Sequence, residues 1–315
     1  MKLHRVSAAE VPAAEALRAA EALRAPEAAP DIACEGLSFS YDEGATTVAA
    51  LRAVDLRLPS GASMAVLGPT GSGKSTLLQL LRGLLVPDAG RVLLDGLAAG
   101  QPGHEERERR IGLVFQMPEM QLFAASCHED VAFGPRQLGW PEAEVDAAAA
   151  RALAAVGLPA DRCGARHPYS LSGGEQRRLA LAGVLAMRPG VLLLDEPFVS
   201  LDPASRRELE DVLRGLRADG MGLVLATHDV DRAYALCEGR VILDEGTVVD
   251  AGPWRFGAGG EAVLLAHRRK PPFVVELWRR RGAGVSVAAV SGRLLRCEAA
   301  IRRYGRLHGA GVARP

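Results

Sequence analysis

The residues Gly68-Pro69-Thr70-Gly71-Ser72-Gly73-Lys74-Ser75-Thr76 set glycines, hydroxyls and one lysine in a single loop. An apolar run, Ser63–Leu67, precedes the loop and a helical pattern follows it. In that setting the glycines let backbone N–H groups turn inward around phosphate oxygens, and the helix N-terminus adds the positive end of its dipole. Lys74 is expected to reach the outer phosphates, and Ser75 to offer a hydroxyl to Mg2+. The alternative is a glycine turn of no chemical consequence. The Lys-Ser-Thr ending after a strand argues against it.

Two further segments complete the chemistry. In Val191-Leu192-Leu193-Leu194-Asp195-Glu196-Pro197, four apolar residues deliver Asp195 to the carboxyl edge of a sheet, where ligands bind in open α/β folds. Asp195 is expected to organise Mg2+, and Glu196 to point at an attacking water. Two adjacent carboxylates beside a polyphosphate repel it without a cation, so Mg2+ is implied. In Leu171-Ser172-Gly173-Gly174-Glu175-Gln176, Ser172 can cap a helix, and the two glycines remove side chains that would block an approaching phosphate. The chain thus holds two helix N-termini suited to anions and one phosphate-loop lysine. The second cradle is expected to serve another chain's nucleotide.

These residues need a frame. From Ile32 onward, short apolar runs alternate with helical patterns. The pattern predicts strands at Ser63–Leu67, Arg91–Leu94, Ile111–Phe115, Val191–Leu194, Leu223–Ala226 and Arg240–Leu243. Helices are predicted at Lys74–Leu85, Glu142–Val156, Gly173–Met187, Pro203–Ala218 and Val230–Cys237. The continuous apolar strands imply a mainly parallel sheet covered on both faces, and Ile32–Leu58 reads as antiparallel hairpins. Three segments are expected: an Ala-rich flexible extension over 1–30 with AEALRA repeated at Ala14–Ala19 and Ala20–Ala25, a catalytic domain over 31–265, and an extension over 266–315. In the last, Phe273 with Leu277 and Val274 with Trp278 could form a short docking helix.

Whole-chain quantities exclude other classes. The 315 residues carry 38 Lys and Arg against 38 Asp and Glu, and a chain without net charge lacks the basic excess of a dedicated nucleic-acid binder. The five cysteines are scattered without a CxxC pair, which argues for reduced thiols rather than disulfides or a zinc site. No apolar stretch approaches the roughly 18–20 residues of a spanning helix. Any membrane role must therefore pass through a partner.

In order along the chain stand Tyr41, the Gly68–Thr76 loop, Gln116, Leu171–Gln176, Asp195-Glu196, Ser200-Leu201-Asp202 and His228. This ordered set resembles the ABC ATPases over about residues 31–255. The resemblance implies a P-loop NTPase core, a mainly parallel sheet flanked by helices, with an antiparallel β subdomain and a helical signature subdomain. It implies ATP and Mg2+ as cofactors, with Gln116 joining Ser75 and Asp195 near the metal. Tyr41 would stack on adenine, and Gln116 would link the γ-phosphate site to a membrane partner. Ser172, Gly173, Gly174 and Gln176 would clamp ATP across a dimer, Asp202 would couple the two sites, and His228 would contact the γ-phosphate. Taken singly, Tyr41 could be a surface aromatic in competition with Phe39, and a lone His228 would usually be structural.

The stretches Val114–Phe123 and His128–Pro135 are similar to the ATPases of energy-coupling-factor importers, which take up cobalt, nickel, biotin and other vitamins. That likeness implies a second ATPase subunit, identical or paralogous, a transmembrane scaffold, a substrate-binding membrane subunit, and a peripheral place on the cytoplasmic face. Arginines of the scaffold's coupling helices would meet acidic residues here, with Glu119 or Glu129 as receptors. Phe198-Val199-Ser200 departs from the Thr-Ala-Gly of many relatives while Asp202 is kept. Soluble ABC ATPases acting on DNA or ribosomes are the competing class, but heptad arms, zinc insertions and a second cassette are not seen. A P-loop kinase would not need Leu171–Gln176. Cobalt or another metal is the first expectation for the cargo, with biotin or another vitamin behind it.

Overall fold

The computed structural model describes residues 28–254 except 43 and 45. The predicted extensions over 1–30 and 266–315, and the docking helix within the latter, fall outside the described residues save for 28–30.

Two long strands open the chain, β1 (Ile32–Asp42) and β2 (Thr47–Leu58), and pair antiparallel as the hairpin pattern predicts. With β4 (Ala89–Leu94) and β5 (Leu97–Ala98) they form an antiparallel sheet in the order β2-β1-β4-β5. The main sheet holds β3 (Ser63–Leu67), β6 (Ile111–Val114), β7 (Val191–Asp195), β8 (Gly222–Ala226), β9 (Gly239–Asp244) and β10 (Thr247–Pro253). Its order is β10-β9-β3-β8-β7-β6, parallel throughout except for β10.

The central strands are buried on both faces, and the period of two is visible in what each residue packs against. Val191 and Leu193 join the core beside the antiparallel sheet, whereas Leu192 and Leu194 join the core under the helices. Burying each such side chain contributes about 1.5–3 kcal/mol.

The helices are α1 (Lys74–Leu81), α2 (His104–Arg109), α3 (Cys127–Gln137), α4 (Glu142–Ala155), α5 (Ala160–Cys163), α6 (Gly173–Ala186), α7 (Pro203–Ala218) and α8 (Val230–Leu236). The sequence pattern missed α3. Gly134 and Pro135 inside it read as breakers, yet tertiary packing of the buried Val131, Ala132 and Pro135 holds the helix. The helix predicted from Lys74 also ends a turn early, at Arg82-Gly83, where Gly83 takes φ +78°.

Register positions the chemistry. Val66 and Asp195 both pair with Ala226, so β3, β8 and β7 end side by side. The loop after Leu67, the acidic pair and Thr227-His228 therefore leave the same edge of the sheet.

Candidate nucleotide site

The loop after β3 is shaped by its surroundings as well as by its glycines. Gly73 takes φ +98°, and a Cβ there would stand 2.5 Å from Ala50 O and 2.6 Å from the Leu51 side chain. Only glycine fits that turn. Lys74 is 7% exposed and donates to Gly68 O at 3.1 Å and Pro69 O at 2.9 Å, folding its ammonium over the loop. Helix α1 begins without a side-chain cap, which leaves its first amides for an anion. Ser72 Oγ is buried with no hydrogen-bond partner, as a group awaiting a ligand would be.

Asp195 lies opposite and is 6% exposed. Burial pushes its carboxyl above the usual carboxylate range, with the bonded Ser75 hydroxyl acting against that, the neighbouring Glu196 adding to it and Lys74 opposing it. Asp195 Oδ1 is buried and unpartnered. An orphaned carboxylate oxygen beside a serine hydroxyl is a hard-oxygen pair that fits Mg2+. No three histidine, cysteine or carboxylate groups converge as a metal cage among the described residues. A magnesium ion here would share its shell with phosphate oxygens and water.

Glu196 occupies the left-handed region at φ +45°, its N–H donating to Ala226 O at 2.9 Å. That conformation is costly for a non-glycine residue. The Thr227 hydroxyl donates to Glu196 Oε2 at 3.2 Å, and His228 Nδ1 stands 3.0 Å from both carboxylate oxygens. A carboxylate accepts, so Nδ1 donates and Nε2 is left for another partner. Thr227 was not singled out from sequence. Its place between an apolar strand and His228 was the available signal.

Tyr41 and Thr76 share a hydrogen bond of 3.2 Å between their hydroxyls, tethering β1 to the start of α1. Phe39 packs edge-on against the Tyr41 ring at 4.9 Å, supporting it from behind. Val114 pairs with Leu194, so exposed Gln116 leaves the sheet level with Glu196.

Helix α6 opens differently. Ser172 Oγ accepts from Glu175 N–H at 3.3 Å and Glu175 Oε2 accepts from Ser172 N–H at 2.8 Å, a complete capping box. These bonds hold the Glu175 carboxyl below its usual range, the Ser172 backbone bond contributing most. Gln176 Nε2 donates back to Leu171 O at 3.0 Å. A Cβ on Gly173 would meet nothing within 4 Å, as a surface awaiting phosphate requires. Gly174 is glycine for another reason than the one read from sequence. A Cβ there would stand 2.1 Å from Ser205 Oγ, so packing against α7 excludes a side chain.

Asp202 caps α7, its Oδ1 accepting from Ala204 and Ser205 N–H at 2.8 and 3.1 Å and its Oδ2 from the Ser205 hydroxyl at 2.5 Å. The Ser205 hydroxyl, then the amides, hold its carboxyl below the usual range. The acidic receptors expected for a partner's arginines are already paired within the chain. Glu119 faces Arg177 at 2.8 Å and Glu129 faces Arg136 at 3.1 Å. Arg177 was overlooked, although an arginine four and eight residues before Leu181 and Leu185 stands in a buried stripe.

A lysine loop, an acidic strand end and a histidine leave one edge of a parallel sheet, and a glycine-led capped helix follows the family's signature pattern. Together they define a P-loop ATPase of the ATP-binding-cassette class. A family model described as ABC transporter matches residues 51–199. The cobalt import ATP-binding protein CbiO of Rhodobacter capsulatus is 45% identical over 79% of this chain and 88% of its own length. The energy-coupling factor transporter ATP-binding protein EcfA2 of Symbiobacterium thermophilum is 46% identical over 72% of this chain and 80% of its own. Among solved structures, cbiO1 from Clostridium perfringens aligns with TM-score 0.63 and 34% identity, over 74% of this chain and 90% of that one. A dimeric cassette, MJ0796 bound to ADP and Pi, aligns with TM-score 0.62 and 28% identity, over 71% of this chain and 99% of that one. The chain belongs to the ABC transporter ATP-binding proteins, and within them to the energy-coupling-factor-type import ATPases. It is an ATP hydrolase.

Proposed function

We propose that two cassettes, this chain with a second copy or with a paralogue, close on two ATP molecules and so drive a membrane scaffold that imports a metal ion or a vitamin. The observation that carries the reading is the contrast between a phosphate loop enclosed by its own chain and a Gly173 turn facing open space. Each chain supplies half of each site.

In that arrangement Tyr41 stacks on adenine, and the amides of Gly68–Thr76 with Lys74 hold the phosphates. Ser75 and Asp195, with Gln116 nearby, hold Mg2+, which when bound neutralises charge developing on the phosphates. Glu196 orients the attacking water and accepts its proton. His228, fixed by its Nδ1 bond to Glu196, turns Nε2 to the γ-phosphate. Ser172 and Gly173 of the opposite chain close the site, and Asp202 couples the two halves. Phosphoryl transfer to water asks for this positioning rather than for covalent chemistry.

A relative named for cobalt import and another from Rhodobacter capsulatus named for nickel import, 41% identical, support a metal ion as the cargo. No helix among the described residues is long and apolar enough to cross a membrane, and the likeness to import ATP-binding proteins supports a peripheral place on a membrane partner. Met117, Met120, Phe123 and Phe133 are exposed near Gln116, with the Phe123 and Phe133 rings edge to face at 4.9 Å. Such an apolar patch suits the coupling helices of a scaffold. Turnover per chain should rise with protein concentration, and a tagged chain should bring a multi-spanning protein from detergent-solubilised membranes. Constant turnover at every concentration would refute the shared site, and recovery of the chain alone would refute the scaffold.

A further inference from the structure

The Arg177 side chain is 3% exposed and lies just over one turn inside α6. A guanidinium cannot shed its charge, so its enclosure must be compensated by acceptors. Nε donates to Glu119 Oε2 at 3.1 Å and Nη2 to Glu119 Oε1 at 2.8 Å, a two-point fork. Nη1 donates to Pro197 O at 3.1 Å and also to Val199 O. One side chain thereby joins three segments distant in sequence. They are the short 3-10 helix Pro118–Gln121, the helix headed by Ser172 and Gly173, and the backbone between Glu196 and Asp202.

Packing alone does not call for an arginine here. A leucine would continue the stripe formed with Leu181 and Leu185 without a charge to desolvate. What the fork adds is a fixed distance and a fixed orientation, since both carboxylate oxygens are held in the guanidinium plane. Glu119 is held on a turn that begins at Met117, φ +55°, and carries Met120, 75% exposed. The fork ties the turn that carries those methionines to α6. Two more contacts make α6 and the start of α7 travel together: Gly174 against Ser205, and Arg178 paired with Glu208.

We infer that Arg177 and Glu119 are positioning residues that carry displacement of the Met117–Phe123 surface to the Ser172–Gly173 turn and to Asp202. Docking of the membrane partner then sets how two chains close on ATP. The inference rests on the importer reading. Neither residue belongs to the phosphate loop, the acidic strand end or the Ser172–Gly173 turn.

Glu119→Gln keeps the size of the side chain and loses the charged fork. Arg177→Lys keeps the charge and loses the planar donors. In the assembled transporter in vesicles, Glu119→Gln should lower substrate taken up per ATP hydrolysed by about tenfold. The isolated chain carrying it should keep wild-type KM for ATP and wild-type kcat. Arg177→Lys should lower kcat of the isolated chain about tenfold with KM unchanged, because the phosphate loop is untouched. Should Arg177→Lys fail to fold, Glu119→Gln decides the matter alone. Uptake per ATP equal to wild type in Glu119→Gln overturns the inference, as does wild-type kcat in Arg177→Lys. A wild-type chain that joins no membrane partner sinks the importer reading and this inference together, whereas wild type and Glu119→Gln coupling alike sinks the inference only.

Discussion

Two helices of this chain begin at glycine-rich turns, and they are built on opposite plans. Helix α1 starts inside its own chain, with Gly73 against Ala50 and Leu51, Lys74 enclosed, and Asp195 with Ser75 alongside. It has no side-chain cap, so its amides wait for an anion. Helix α6 is capped at once by Ser172 and Glu175, carries no lysine within its Leu171–Gln176 turn, and shows Gly173 to open space. The first is complete enough to hold a polyphosphate. The second is finished as structure and unfinished as a site. Under the proposed function, that difference assigns affinity for ATP to a single chain and turnover of ATP to two.

The sharpest way to break that division is Glu196→Gln. Turnover should fall by about 10²–10⁴-fold with ATP binding retained, and a closed dimer should accumulate on size-exclusion chromatography. Near-normal turnover removes Glu196 from the water. Next comes Gly173→Val, which should leave ATP affinity and melting temperature of the single chain intact while abolishing ATP-driven dimerisation. A dimer that still forms would place this turn away from the interface. Gly174→Ala separates the neighbouring glycine from it, because collision with Ser205 should cost about 1–3 kcal/mol of stability in denaturant unfolding. Adding Ser205→Gly should recover much of that loss.

A smaller effect concerns Mg2+. If Asp195 holds the metal as proposed, a proton competes with it there, and burial raises the carboxyl's pKa, so the competition extends upward in pH from about 4. The magnesium dependence of ATP binding should therefore weaken as pH is lowered toward that range, and a pH-independent magnesium affinity would remove Asp195 from the metal. The smallest concerns the caps. Glu175 and Asp202 have lowered pKa values, so what they contribute to the starts of α6 and α7 is present above about 4 and is lost as pH falls through their folded values. Asp202→Asn should flatten part of that acid limb in thermal unfolding curves.

Much of the fold is legible in the chain because its signals are local. Strand Ser63–Leu67 and helix Pro203–Ala218 follow from apolar runs and from an Asp-Pro start, with no need of distant contacts. Helix α3 is not legible, since Gly134 and Pro135 oppose it and only burial of Val131 and Ala132 against other helices overrides them. The same distinction holds within the site. Lys74, Asp195 and Ser172 announce themselves by spacing, whereas the roles of Glu119 and Gly174 were read from neighbours in sequence and are set by Arg177 and Ser205, residues far along the chain.

The sequence alone determined the phosphate loop, the acidic strand end, the capped second helix and hence the ATPase class, because each depends on residues within a few positions of one another. Only the tertiary structure decided which carboxylates remain available and which are already paired, and that one glycine faces solvent while the next faces a serine. Those outcomes depend on which surfaces meet once the sheet has set its register, and no local pattern encodes that meeting.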